Sequence, residues 1–285
     1  MPPREGPQAT PLPAAPTGPT ASTTTASTST SVTASAKPGG AYPWLEPAPE
    51  EYVGWDVDVL YGPWPRHDRD TGLAEVRAHL AASPVAGALA LSTRGVLYDD
   101  AGGNAETVRD LADCPELRPV GTVDLRDALT AEARLDELGA AGVRFLRLFT
   151  VDQGAEPDFP GYRRVVRLAV ERGMVLLHDG DPRRFGPPLT GCGADVVFLD
   201  LHAYLLADFL LLARDEPGFR ATTRMLSGPD SIERVVESVG SRHLVFGSRT
   251  PFMDLSPQTL KLRYAEIPAD DRAAIATRNV EELLA

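Results

Sequence analysis

Six polar side chains close apolar runs in this sequence. They are Asp58 in GWDVDVLYGPWP, Arg147 in GVRFLRLFT, His178 in GMVLLHDG, His202 in ADVVFLDLH, Arg224 in FRATTRML and Arg249 just past HLVFGS. A carboxylate, two imidazoles and three guanidiniums brought to one place could hold a substrate carboxylate, polarise a carbonyl and move a proton. An imidazole titrates near neutral pH, so His178 and His202 are the general acid or base candidates, with Asp58 and Arg249 completing the centre. Arg147, Arg224 and Trp64 read as substrate contacts, Trp64 as part of an aromatic lid with His67 in the proline-rich turn YGPWPRHDRD. His67, His79 and His243 carry no acid or base assignment, and Arg183 and Arg184 in DGDPRRFGPP read as solvated surface. Ser248 lacks the Gly-x-Ser-x-Gly turn of an exposed nucleophile.

The first of these runs has an odd alternation. Counted by twos, Asp56, Asp58 and Leu60 share one face, and Val57, Val59 and Tyr61 share the other. Two carboxylates on an apolar strand are costly when buried unless partners satisfy them.

The elements that must position these residues follow from the hydropathy pattern. Eight strand-like runs (VGWDVDVLYG, VAGALALS, RPVGTVDL, GVRFLRLFT, GMVLLHDG, ADVVFLDLH, FRATTRML, HLVFGS) alternate with helical patterns over residues 72–82, 105–112, 131–140, 162–172, 203–214, 231–239 and 258–265. Near-continuous apolar strands separated by helices predict a parallel sheet covered on its outer face, and eight repeats predict an α/β fold of the (β/α)8 TIM barrel type. An open doubly wound sheet would carry a glycine-rich phosphate turn after its first strand. The turn here is YGPWPRHDRD, whose prolines lack the N–H donors a phosphate needs. In a barrel, polar residues at the carboxyl ends of the strands converge on one mouth, and all six candidates stand there.

Residues 1–45, rich in Pro, Thr, Ser and Ala, predict a disordered tail, because they bury too little apolar surface to offset the entropy of ordering. Residues 46–285 then form the barrel. A net charge of -12 argues against nucleic-acid or anionic-membrane partners. The two cysteines, Cys114 and Cys192, suggest neither a disulfide framework nor a zinc cluster, and a cytoplasmic setting is expected. The run AYLLADFLLLA is too short to span a bilayer. The expected partner is a small-molecule substrate, and nothing speaks against a homo-oligomer.

From Gly54 onward the sequence resembles the amidohydrolase superfamily, in particular the branch that also contains decarboxylases and lactonases. The resemblance rests on Asp56-Val-Asp58-Val-Leu60-Tyr-Gly62 against an Asp-x-His-x-His-x-Gly first strand, and on the His-ending strands LLHDGD and LDLHAY. It continues in Gly247-Ser-Arg249-Thr-Pro251 against Gly-Ser-Asp-x-Pro, and in the Asn-containing final helix AIATRNVEELLA. The family implies a barrel with a catalytic divalent metal held by the two first-strand histidines and the fifth-strand histidine, with the eighth-strand aspartate as ligand and base. The matching positions here are Asp58, Leu60, His178 and Arg249.

Three of those four positions depart from the pattern. Leu60 offers no lone pair, and a permanently charged guanidinium at Arg249 repels a dication and cannot act as a base. No tightly bound metal and no other cofactor is therefore expected, with Arg249 pairing with Asp58 in place of the metal charge, in bidentate geometry if the fork fits. Two functions follow. One is a metal-independent hydrolase or lyase acting on a small carboxylated or lactone-type substrate. The other is a catalytically inactive homologue that serves as a binding or partner subunit.

Overall fold

The computed structural model describes residues 53–64, 70–97 and 99–285. The tail expected over residues 1–45 and the loop residue His67 lie outside them. Eight parallel strands follow one another round a single sheet: Val53–Pro63, Val85–Ser92, Leu117–Thr122, Phe145–Leu148, Val175–His178, Val196–Phe198, Phe219–Thr222 and Leu244–Val245. They are called the first to eighth strands below. A two-residue strand, Asp70–Thr71, pairs antiparallel with the end of the first. Backbone bonds from Val57 N–H to Phe246 O (3.1 Å) and from Leu60 N–H to Thr250 O (3.0 Å) bring the first and eighth strands together, which nearly closes a (β/α)8 barrel.

The helices between strands are short and amphipathic. Pro160–Glu171 starts on a proline, which lacks the N–H that would be orphaned at a helix start, and buries Tyr162, Val165, Val166, Leu168 and Ala169 at helical spacing. Asp100–Leu111 begins earlier than the apolar pattern suggests, because the Asp99 carboxylate accepts the Gly102 N–H at 2.9 Å and caps the first turn. The last helix, Asn279–Leu284, carries Asn279, whose amide donates to Ser241 O (2.7 Å) and Leu244 O (2.8 Å) and so fixes the start of the eighth strand.

Alternation along the strands divides the apolar side chains into two cores. Leu89, Leu91, Val120, Phe145, Val175, Leu177, Val197 and Val245 fill the barrel interior, while Ala88, Ala90, Leu146, Leu176, Val196, Phe198 and Phe219 pack beneath the helices. The strict alternation expected for the first strand fails. Its pairing with the second strand slips between Asp56 and Val59, opposite Ala88 and Ala90, so the first strand carries one extra residue. This bulge sends Val57 and Leu60 to the interior and Val59 and Tyr61 to the outer layer.

Candidate functional site

The mouth of the barrel holds a cluster of three guanidiniums and three carboxylates. Asp58 is fully buried at its base, with Arg147 Nη1 at 2.5 Å from its Oδ1, and Arg224 Nε and Arg249 Nε each at 3.3 Å from its Oδ2. Asp179 Oδ1 lies 3.1 Å from both Arg147 Nη2 and Arg249 Nη2. Asp200 pairs with Arg224 Nη2 and lies 3.5 Å from Arg249 Nη2. The expected Asp58–Arg249 contact is thus one edge of a wider network, and it is single rather than bidentate, because the other arm of the Arg249 fork turns to Asp179. The formal charges of the six groups cancel. Side-chain exposure is 21% for Arg249 and for Asp200, and 5% or less for the other four.

Charge and burial act against each other here. Burial pushes the Asp58 carboxyl up, but Arg147, Arg249 and Arg224 outweigh it and hold the group well below the usual carboxylate range. For Asp179 burial wins over Arg147 and Arg249, and its pKa is raised. For Asp200 burial is outweighed by Arg249 and Arg224, and its pKa is lowered. Burial works against the charge of Arg249, yet Asp58, Asp179 and Asp200 hold its pKa above the ordinary arginine value.

Arg249 sits in the left-handed region at φ 64°, an uncommon conformation for a residue with a Cβ. Its surroundings hold it there. Phe252 N–H (2.9 Å) and Met253 N–H (3.2 Å) donate to its carbonyl, and the preceding Ser248 is tied to Asp56 through its N–H (3.0 Å) and its hydroxyl (2.5 Å). Asp56 also accepts the Asp58 N–H at 3.0 Å. It is therefore a staple across the seam that sets both Asp58 and Arg249.

The two histidines do not share the mouth, which corrects the expectation that they face one pocket. Val175 and Leu177 point inward, so His178 points outward into the layer beneath the helices. Its ring packs on Phe185 (4.7 Å between centroids) and Phe198 (6.0 Å), and its Nε2 meets the Tyr162 hydroxyl at 2.9 Å. Burial pushes its pKa down to about 4. Its Nδ1 meets the Asp179 carbonyl, which also accepts the Thr150 hydroxyl at 2.9 Å. His178 thus anchors the backbone of Asp179 from outside the wall. Just beyond, Gly180 at φ 100° turns the chain where a Cβ would approach Phe185 to 3.0 Å.

His202 is partly exposed on the loop after the sixth strand, stacked on Tyr204 at 5.0 Å between centroids. Trp64 lies 5.0 Å from Phe252, and both rings are half-buried over the interior core. Arg147 and Arg224, read as substrate contacts, are buried partners inside the network. Asp179 and Asp200 are the cluster members that the sequence did not reveal. Asp179 follows the histidine that drew attention, and only the inward parity of Leu177 marks it.

A single (β/α)8 barrel with a charge-compensated cluster at the carboxyl ends of its strands is the class that this fold and site define. No protein-family model matches the chain, and no curated protein sequence matches it. Solved structures do. The 5-carboxyvanillate decarboxylase from Sphingomonas paucimobilis superposes with a TM-score of 0.65 at 14% identity, covering 81% of this chain and 99% of that one. A protein assigned as a 2-pyrone-4,6-dicarboxylic acid hydrolase from Pseudomonas putida gives 0.64 at 17% identity, covering 81% and 97%. The manganese-bound 5-carboxyvanillate decarboxylase from Novosphingobium aromaticivorans gives 0.67 at 12% identity, covering 82% and 97%. These neighbours are members of the amidohydrolase superfamily, and at such identities what this chain shares with them is the barrel.

Manganese in one neighbour raises the question of whether the residues here suit a divalent ion. Asp58 already has three guanidiniums within 3.3 Å, Leu60 is buried among apolar side chains, and His178 lies outside the wall. Among the described residues no three His, Cys, Asp or Glu side chains are grouped to hold a metal ion. A dication would have to displace guanidiniums from carboxylates that are all already paired. The residues do not fit it.

Proposed function

We propose that this chain binds a small carboxylated compound at the barrel mouth, without a divalent metal ion, and that Arg249 is the group that meets the carboxylate. The observation that carries this reading is the cluster itself: three guanidiniums gathered at the carboxyl ends of the strands, with Arg249 reaching solvent and Arg147 and Arg224 buried behind it. A guanidinium fork matches a carboxylate in shape as well as charge. The half-buried rings of Trp64 and Phe252 supply an apolar flank, since Phe252 is bonded to the Arg249 carbonyl. The names of the structural neighbours, decarboxylases and a dicarboxylic acid hydrolase, support a carboxylated ligand class.

A catalytic form of this reading, metal-independent hydrolysis or lysis of a carboxylated or lactone-type substrate, is favoured by Asp179. Its carboxyl is pushed toward the protonated form at the mouth, where barrel enzymes carry their chemistry. Arg249 would anchor the substrate, and His202, on the partly exposed loop, is the base that this form assigns.

The test is a thermal-shift screen of aromatic and aliphatic carboxylates against their neutral amides, followed by chromatography of incubated lactones and carboxylic acids. Carboxylates should raise Tm, and Arg249→Met should abolish the shift, whereas 1 mM manganese or zinc should leave Tm unchanged. A manganese-dependent rise in Tm, or carboxylate shifts that survive in Arg249→Met, would sink the proposal. Turnover that persists in His202→Ala would remove the role given to that histidine.

A further inference from the structure

We infer that Asp200 occupies the seat of the ligand carboxylate on Arg224 and Arg249, so that a carboxylated ligand binds by displacing this side chain. The inference rests on the carboxylate-binding reading above and adds what the ligand must compete with.

The three carboxylates of the cluster are not equally placed to leave. Asp58 has no exposed surface, touches three guanidiniums, and has its N–H fixed by Asp56. Asp179 is nearly as buried, bridges Arg147 and Arg249, and has its backbone held by Leu148 O (3.3 Å), by the Thr150 hydroxyl and by His178. Asp200 stands in the turn two residues beyond the sixth strand, with 21% of its side chain in solvent, the same fraction as Arg249. It is also the member farthest from Arg249, at 3.5 Å. A carboxylate arriving from solvent therefore meets the Arg249–Asp200 edge first, and Asp200 can turn outward into water while the other two carboxylates stay in place.

The resident carboxylate sets the strength of such binding. A group tethered beside its partner acts at an effective concentration in the millimolar range, so a free monocarboxylate competes poorly below that range. Neutralising Asp200 would remove the competitor and leave three guanidiniums against two carboxylates, a site with one net positive charge that attracts anions.

Titration calorimetry with benzoate, and benzamide as its neutral counterpart, tests this on the full chain. Asp200→Asn, close to isosteric, should bind benzoate at least about tenfold tighter than the unaltered protein. Asp200→Glu, which keeps a tethered carboxylate, should not show that gain. Benzamide should bind no tighter to Asp200→Asn than to the unaltered protein, and adding Arg249→Met should abolish benzoate binding in every background. Circular dichroism of each variant confirms the fold, and the Glu variant keeps the comparison open if the Asn variant is unstable. Benzoate binding that needs Arg249 but is equal or weaker in Asp200→Asn overturns the displacement mechanism and leaves the carboxylate-binding reading standing. Benzoate binding that ignores Arg249→Met, or its absence from all variants, overturns both.

Discussion

Two buried aspartates on one strand, two residues apart, have opposite surroundings. At the seam, Asp56 is bonded to neutral partners, the Ser248 hydroxyl and N–H and the Asp58 N–H, and burial pushes its pKa up to about 6. At the mouth, Asp58 is held ionised by three guanidiniums despite equal burial. The same side chain is thus a staple that titrates not far below neutral pH in one place and a fixed charge in the other. Burial alone does not set the state of a carboxyl; the balance between burial and the charges around it does, as Asp179, raised despite two guanidiniums, also shows.

The sharpest way to break this comparison is to neutralise the mouth. Asp58→Asn leaves three guanidiniums, two of them buried, facing two carboxylates, and should cost about 3 to 5 kcal/mol in urea unfolding. A loss below about 1 kcal/mol would mean that solvent already screens the cluster.

The seam should respond to pH instead. The folded-state pKa of Asp56 lies above that of the unfolded chain, so its contribution is fully present at low pH and is lost as pH rises through about 6. Measured against Asp56→Asn, the unaltered protein should therefore lose about 3 kcal/mol of stability between about pH 4 and pH 7. His178 opposes this trend in the same window, because its lowered pKa makes stability rise with pH between about 4 and 6.5. The difference between the two proteins is thus the quantity to read, and a flat difference would mean that folding leaves the Asp56 pKa unshifted.

Smaller effects sharpen the contrast from behind the barrel wall and from the loop after the sixth strand. Tyr162→Phe removes the hydroxyl on His178 Nε2 and should cost about 1 kcal/mol, with benzoate affinity unchanged because the pair lies outside the wall. His202→Ala should shift stability by less than about 0.5 kcal/mol, the usual range for a partly exposed loop side chain. A larger loss would show that its stacking on Tyr204 holds the mouth loop.

Much of the barrel was legible in the residues. The second strand, Val85–Ser92, and the helices Ala131–Ala140 and Ser231–Val239 lie where the pattern puts them, because apolar runs bounded by turns leave little choice. Asp58, Arg147, Arg224 and Arg249 were visible as strand-end polar residues, and they meet at the mouth. The site was less legible where parity mattered. In a strand as apolar as VLLH, inward and outward faces look alike, so His178, read as facing the mouth, points outward and Asp179 takes the inward place. In the first strand the extra residue between Asp56 and Val59 leaves no compositional mark, and it separates two carboxylates that counting by twos had put together.

What the sequence determined by itself is the repeat of strand and helix and the residue types at the strand ends. These follow from local hydropathy and from side-chain chemistry, which neighbours do not alter. Only the tertiary structure decided which charge faces which. Asp200 and Asp179 reach Arg249 from loops after the sixth and fifth strands, and Asp58 from the first, contacts spanning 49, 70 and 191 positions along the chain. Ion pairs across such separations form where barrel closure brings strand ends within a few ångströms, and no local pattern records that geometry.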